Sequence, residues 1–215
     1  ANVEQEQRST PAVLFPVGGS DAAGRPFQQT QQAQDLQTLT TFLTTPNNGK
    51  SWTFNPGTLD PFNSLSQSLK FLAKIDWNIS DQHKLTVRYN QLNSFSDVGP
   101  SNAGSNGVNP PGPRGNSVTT IPFSGLWYRI NNNLQSVIGE LNSTFSNRFA
   151  NNLQVGYTSF RDFRQGAQGG PSPDFPTVDI ANANGTTLTS FGAEPFTPNN
   201  VLNQDVIQLN DRFDI

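Results

Sequence analysis

The chain has 215 residues, a formal net charge of −3, no Cys and no Met, with 33% hydrophobic and 13% charged residues. The acidic balance offers no basic surface for nucleic acid, the missing Cys excludes disulfides and thiolate chemistry, and no apolar run approaches the roughly 18 residues of a membrane helix. The 16 Phe, 3 Trp and 3 Tyr residues argue against disorder, because disordered chains usually lack aromatic residues.

Strands are predicted wherever apolar and polar residues alternate. Residues 1–8 are interpreted as the end of one strand, and residues 9–67, rich in Gly, Pro, Asn and Ser, as a long loop. Residues 69–79 alternate most clearly, with Leu72 as the only apolar intruder on the polar face. The apolar face of this strand comprises Phe71, Ala73, Ile75, Trp77 and Ile79.

The next strand is predicted over residues 84–90, so that Asp81, Gln82 and His83 form the turn of a hairpin. The two apolar faces match only if odd-numbered positions face odd-numbered ones. We therefore expect Ser80 to pair with Lys84. That register gives three further cross-strand pairs: Trp77 with Val87, Ile75 with Tyr89, and Asp76 with Arg88.

A second hairpin is predicted from residues 137–146 and 153–158, with a short turn around Asn147 and Arg148, and residues 205–215 are interpreted as the start of a last strand. Long loops are expected over residues 96–126 and 164–204. Long and short connections alternate, which places every long loop at one end of an antiparallel sheet. This asymmetry is typical of outer-membrane barrels, and so is a composition that is polar, uncharged and yet aromatic.

Aromatic positions agree with a membrane-spanning sheet. Trp77 and Phe145 lie beside the short turns, while Trp127 and Tyr128 lie where a long loop ends. Amphipathic rings favour the two membrane interfaces. The pattern alone leaves a soluble β-sandwich with core aromatics as an alternative.

The sequence also resembles a known family. Residues 71–90, FLAKIDWNISDQHKLTVRYN, resemble a hairpin of TonB-dependent receptors with Oar-like barrels, and residues 140–157, which begin ELNSTFSNRF, resemble the hairpin that follows it. The segments EQEQR at residues 4–8 and DFPTVDI at residues 174–180 are also similar to that family. The resemblance identifies residues 1–215 as one unit, an internal fragment of such a barrel.

The resemblance implies a ligand-gated importer of the bacterial outer membrane. Such a receptor has a 22-stranded barrel closed by an N-terminal plug, and the plug contacts the energy-coupling TonB complex. The chain has no initiator Met, signal peptide, plug, coupling box, carboxypeptidase-regulatory-like leader or terminal aromatic, so we expect a piece of a longer protein. Its expected partners are outer-membrane lipid, an unidentified imported ligand at the extracellular loops, and the coupling complex through the plug.

No catalytic, cofactor-binding or metal-binding residue is predicted. His83, the single His, is expected to be a solvated turn residue, and Asp174 and Asp179 are expected to be loop and strand-edge residues without an acid–base partner. Ligand contact is expected from the loops as a set, because binding residues concentrate on loops held by rigid scaffolds. The rival hypothesis is an adhesin-like surface or secreted β-rich binding protein, and an enzyme is a distant third.

Three structural expectations follow. The apolar face should contact lipid, so that Arg at Ile75 or Val87 destabilises the barrel whereas Arg at Thr86 costs little. The chain should form an open, curved meander of about six strands, with its long loops poorly packed at one end. Expressed alone, it should be insoluble without detergent.

Overall fold

The structure is a computed structural model, and it describes residues 1–12, 30–46, 50–102, 114–115, 117, 120–167, 170, 172–181 and 185–215. Its elements in chain order are β1 (Asn2–Pro11), α1 (Thr30–Thr44), β2 (Asn63–Ser80), β3 (His83–Val98), a 3₁₀ turn (Ser124–Leu126), β4 (Tyr128–Thr144), β5 (Ala150–Gly166), β6 (Val178–Ala181), β7 (Thr187–Phe191) and β8 (Val201–Asp214).

Six long strands form one antiparallel sheet in the order β1-β2-β3-β4-β5-β8. This order confirms the predicted meander. Within the described ranges the sheet is open, with β1 and β8 as its two edges. Every pairing sets odd-numbered residues opposite odd-numbered ones over almost its whole length, so odd and even side chains occupy two separate faces, called here the odd face and the even face.

The strands extend well beyond the alternating segments that predicted them. The strand predicted over residues 84–90 runs over His83–Val98, and β4 begins at Tyr128 rather than at residue 137. The added parts are rich in Asn, Gln and Ser. Main-chain hydrogen bonds to the neighbouring strand hold them in place, and those bonds do not require an apolar face.

The predicted register of the first hairpin is wrong by two residues, although its faces are right. Ser80 pairs with His83 instead of Lys84, which leaves a two-residue turn at Asp81 and Gln82. The pairing is irregular between Asn78 and Ser80, where residue 79 is an extra residue without a partner on the neighbouring strand. The observed pairs are Trp77 with Leu85, Ile75 with Val87, Asp76 with Thr86, Lys74 with Arg88 and Ala73 with Tyr89.

Regions expected to lack secondary structure contain a helix and a hairpin. Leu36, Leu39 and Leu43 recur at helical spacing on α1, and the first and last of them are buried. No helix among the described residues is long and apolar enough to cross a membrane. Strands β6 and β7 form a separate two-stranded sheet between β5 and β8.

The expectation of poorly packed loops is also wrong. Leu43, Phe123 and Phe191 come from the three different long connections and form a buried hydrophobic cluster. Six partly buried apolar residues pack against it: Leu39, Phe54, Leu59, Phe175, Val178 and Ile180. The described parts of the three connections therefore share one small core at one end of the sheet, called here the loop cluster, and that end is called the loop end. The opposite end is called the turn end.

Candidate functional site

The odd face carries a continuous band of exposed apolar side chains near the turn end. Ile75 is 67% exposed, and Leu209 on the far edge strand is 73% exposed. Soluble proteins rarely expose so large an apolar patch. The band, called here the apolar band, includes Ile75, Trp77, Val87, Val137, Val155, Tyr157, Ile207, Leu209 and Phe213.

The height of the apolar band is close to that of a membrane core. Four strands and their ends carry mostly apolar odd residues over stretches of nine residues each, at residues 71–79, 137–145, 149–157 and 207–215, with Ser143, Asn151 and Asp211 as the polar odd residues within them. At about 3.4 Å per residue such a stretch is about 27 Å long. In an outer-membrane barrel, where strands are tilted by about 40°, a stretch of this length would span about 21 Å, compared with roughly 25 Å for the apolar band of such barrels.

Tyrosines mark the loop-end limit of the apolar band. Tyr89 and Tyr157 both lie in register with Val137. Their hydroxyls lie 3.1 Å from Gln91 Oε1 and 2.8 Å from Asp205 Oδ1, respectively, and both acceptors lie on the loop-end side. Beyond them, the odd face of β3, β4, β5 and β8 carries two polar rows: Gln91, Gln135, Ser159 and Asp205, then Asn93, Asn133, Arg161 and Asn203.

Rings also mark the turn end. Trp77 and Phe145 are 60% and 52% exposed there. Phe149 and Phe213 stack nearby with ring centroids 6.1 Å apart. The expectation that Tyr128 belongs to an exposed row of aromatic residues at the loop end is wrong, because Tyr128 is buried at the base of the loop cluster. Trp127 packs edge-on against Phe62 at 5.2 Å, so these two aromatic residues anchor the loops instead.

The even face near the turn end is polar and linked across strands. Thr86 donates a hydrogen bond of 2.6 Å to Asp76, and Arg88 forms a 2.9 Å ion pair with Glu140. Asn152 donates to the same Glu140 carboxylate at 2.9 Å. Thr86 is buried beside Asp76, which argues for a larger cost of Arg at this position than the alternation implied, and the small cost stays an untested prediction. The two faces differ as the wall of a water-filled barrel would require.

Close backbone contact joins the first long connection to the second. Gly125 N donates to Pro56 O at 3.0 Å, and Thr58 N donates to Ser124 Oγ at 2.9 Å. A Cβ on Gly57 would lie 2.3 Å from that Ser124 oxygen, and Gly57 also has a φ of +89°. Glycine therefore permits both the turn and the close approach.

Strand-like hydrogen bonds join the second connection to the third. Ile121 N donates to Leu188 O, and Phe123 N donates to Ser190 O, each at 3.0 Å. Thr189 on β7 returns a side-chain hydrogen bond of 2.7 Å to Ile121 O. The segment around Phe123 thus extends the β6–β7 sheet by main-chain pairing.

A buried ion pair fixes the same junction. Arg114 binds Asp179 with two hydrogen bonds of 2.8 Å, and the two side chains are only 3% and 15% exposed. Ser190 donates a third hydrogen bond of 2.7 Å to Asp179. Burial alone raises the pKa of the Asp179 carboxyl, but the hydrogen bonds from Arg114 and Ser190 and the Arg114 charge outweigh it, so the pKa lies below its ordinary value.

Exposed rings lie on the outside of the loop cluster. Phe42 and Trp52 pack edge-on at 6.1 Å, and both are more than 40% exposed. The ammonium of Lys50 lies 4.6 Å and 4.3 Å from their ring centroids and donates to carbonyls at the end of α1. Both rings therefore form a cation–π contact with Lys50 within the chain.

His83, Asp174 and Asp179, the residues considered as catalytic or metal-binding candidates, do not form a reactive group. His83 Nδ1 lies 2.9 Å from Ser143 Oγ, its ring packs against Phe145, Asp174 is exposed, and Asp179 is engaged by Arg114. Within the described ranges no group of three or more His, Asp or Glu residues could hold a metal ion.

Comparison with known proteins found no similar protein. No protein-family model matches the chain, and no curated protein or solved structure is significantly similar to it.

Proposed function

We propose that this chain forms part of the wall and the extracellular loops of a TonB-dependent active transporter in a bacterial outer membrane. The observation that carries the proposal is the apolar band on the odd face, which extends over stretches of nine residues on four strands, is interrupted by a single polar residue on three of them, and is bounded by aromatic residues. Lipid would cover this band, and the polar even face would line the lumen.

Two further observations support the proposal. Every connection at the turn end is short, while all three long connections lie at the other end, where outer-membrane barrels carry their extracellular loops. Five of the six strands of the sheet, all except the ten-residue β1, have 14 to 18 residues and so exceed the 9–11 or so residues needed to cross the membrane. The excess would raise the loop cluster above the membrane surface.

In this proposal the loop cluster contacts the imported ligand, and a plug domain elsewhere in the protein contacts the TonB complex. A packed cluster favours binding, because less conformational entropy is lost when the ligand arrives. The same packing also favours the second candidate, an adhesin-like surface protein without transport. A plug domain in the same reading frame would support transport, and a frame without one would support the adhesin.

The test of the lipid-facing surface compares two adjacent residues of β5. Val155 is half exposed at the middle of the apolar band, while Gln154 lies on the even face opposite Glu140. We expect Val155→Arg to lower the free energy of unfolding from lipid vesicles by about 2–4 kcal/mol. Gln154→Arg should cost little, because the new charge faces a carboxylate.

The measurement is a denaturant titration of vesicle-folded protein followed by tryptophan fluorescence. Strand content from circular dichroism shows whether each variant reaches the same folded state. Equal effects of the two substitutions would contradict the proposal, and so would a monomeric, cooperatively melting protein in lipid-free buffer.

A further inference from the structure

A cavity on the even face has an apolar lining that a purely structural polar wall does not need. It measures about 360 Å³ and lies between β1, β2, β3 and β4. Leu72, Leu92 and Leu134 from three adjacent strands contribute to its lining. Leu72 is the residue that interrupts the alternation of its strand. The polar lining residues include Asn2, Asn90 and the 2.9 Å ion pair of Glu4 with Lys70.

Two cations lie on the turn-end side of this cavity, in the row of residues beyond those that line it. Lys74 and Arg88 are direct cross-strand partners, one row from Leu72, and like charges in that position are unfavourable. The acids that pair with them, Asp76 and Glu140, each 2.9 Å away, lie one row further toward the turn end. The positive groups therefore lie between the cavity and the carboxylates.

Arg88 also has unused hydrogen-bonding capacity. Its Nε is buried without a hydrogen-bond partner, although its terminal nitrogen bonds to Glu140. A buried donor left unpaired costs about 1–3 kcal/mol or more when it is charged. The Arg88 side chain as a whole is 38% exposed, so a ligand carboxylate that approached from the cavity side would meet its terminal nitrogens and could reach the Nε only after the side chain shifts.

We propose that the cavity binds a small amphiphilic anion, a carboxylate with an aliphatic chain of medium length. The chain would lie against Leu72, Leu92 and Leu134, and the carboxylate would lie beside Lys74 and Arg88. A neutral aliphatic ligand would leave the cations unmatched, and an inorganic anion would leave the leucines exposed to water. This site goes beyond the proposed function, because it lies on the face opposite the apolar band and apart from the loop cluster.

The test is a titration of the chain in lipid nanodiscs with octanoate below its micelle concentration, followed by saturation-transfer NMR. Octanamide keeps the aliphatic chain without the charge, and acetate keeps the charge without the chain. We expect saturable octanoate binding, with octanamide weaker by about tenfold because it lacks the charge-assisted hydrogen bonds. Acetate should show no saturation in the same range.

Variants locate the site. Arg88→Gln should weaken octanoate binding by about tenfold. Lys84→Gln removes a positive charge from the same face of β3, four residues away, and should change binding less than twofold or so. Leu92→Asn leaves every charge in place and should also weaken octanoate, which keeps the proposal testable if Arg88→Gln lowers strand content.

Three results would overturn the proposal: no saturable octanoate binding, equal binding of octanoate and octanamide, or equal losses for Arg88→Gln and Lys84→Gln. If octanoate does not bind saturably, the remaining candidate occupant of the cavity is a polypeptide segment. None of them bears on the apolar band, whose test is the pair of β5 variants.

Discussion

Removing the Asp179 carboxylate should open the loop cluster while the sheet stays folded. In Asp179→Ala the guanidinium of Arg114, only 3% exposed, loses the two hydrogen bonds to Asp179 and the negative charge of that residue. Ser190 loses its acceptor at the same time. The bond from Arg114 to the Ser101 carbonyl, 3.1 Å long, would remain but cannot neutralise the charge.

The magnitude follows from the burial of the pair. Breaking a buried ion pair by removing one partner costs about 3–5 kcal/mol, because an uncompensated charge stays buried. The opening equilibrium of the loop cluster should therefore rise by roughly two to four orders of magnitude. Asp214→Ala is the matched control, since its ion pair with Arg212 has a similar distance of 2.9 Å but is exposed.

Native-state hydrogen exchange resolved by peptide is the appropriate assay. Protection should fall in β6, β7 and residues 120–126 of Asp179→Ala, where the amides of Ile121 and Phe123 pair with β7. Protection of the interior strands β3 and β4 should not change. Wild-type protection of β7 in Asp179→Ala, or the same loss in Asp214→Ala, would refute the role assigned to the ion pair.

Three further outcomes concern the loop cluster. Because the pKa of Asp179 lies below its ordinary value of about 3.9, the contribution of the carboxylate to the stability of the loop cluster is complete above pH 3.9 or so and is lost as the pH falls through the lowered value. Protection of β7 should therefore fall on acidification in wild type, whereas Asp179→Ala should show little change. A wild-type loss centred near pH 6–7 or so would show that another group is responsible. Phe191→Ala should destabilise the cluster by about 3–5 kcal/mol, measured by limited proteolysis, because the ring is 4% exposed and packs against Phe123; unchanged cleavage rates would contradict this. Gly192→Ala should also open the loop cluster, since the φ of Gly192 is +96° and a Cβ there would lie 2.0 Å from Pro176 O. Gly139→Ala is the control and should be tolerated, because a Cβ at Gly139 would have no neighbouring atom within 4 Å. Equal rates of proteolysis for these two variants would contradict the argument.

The sheet could be predicted because its signal is local. Residues 69–79 carry the alternation that fixes which side chain faces which side, and parity survives any shift of register by two residues. The register itself depends on the turn. A two-residue turn at Asp81 and Gln82 combined with an irregularity at position 79 gives the same parity as a three-residue turn with no irregularity. Alternation alone cannot distinguish these two solutions.

The loop cluster could not be predicted because its contacts are distant in sequence. Leu43, Phe123 and Phe191 come from connections separated by two hairpins of the sheet, and no local pattern marks them as neighbours. Helix α1 is rich in Gln and Thr, so its three leucines, two of them buried, give only a weak helical period. A high content of Gly, Pro, Asn and Ser predicts turns correctly but says little about whether the turns pack.

The two halves of each long strand have different environments, and this difference explains why the strands exceed the apolar band. In the turn-end half, the odd face carries mostly exposed apolar residues such as Val87, and its charged residue Asp211 lies on the edge strand β8, where Asn151 donates a hydrogen bond to it. In the loop-end half the same face buries an ion pair: Arg129 Nε lies 2.7 Å from Asp97, and its guanidinium lies 3.7 Å from the ring centroid of Phe95. The same carboxylate accepts a hydrogen bond of 3.0 Å from Leu65 N. Asp97 therefore joins β2, β3 and β4 just below the loop cluster, and a lipid-facing surface would not tolerate a charged residue at that place. The loop-end half of the sheet is a rigid base for the loops, and only the turn-end half has the composition of a membrane-spanning wall.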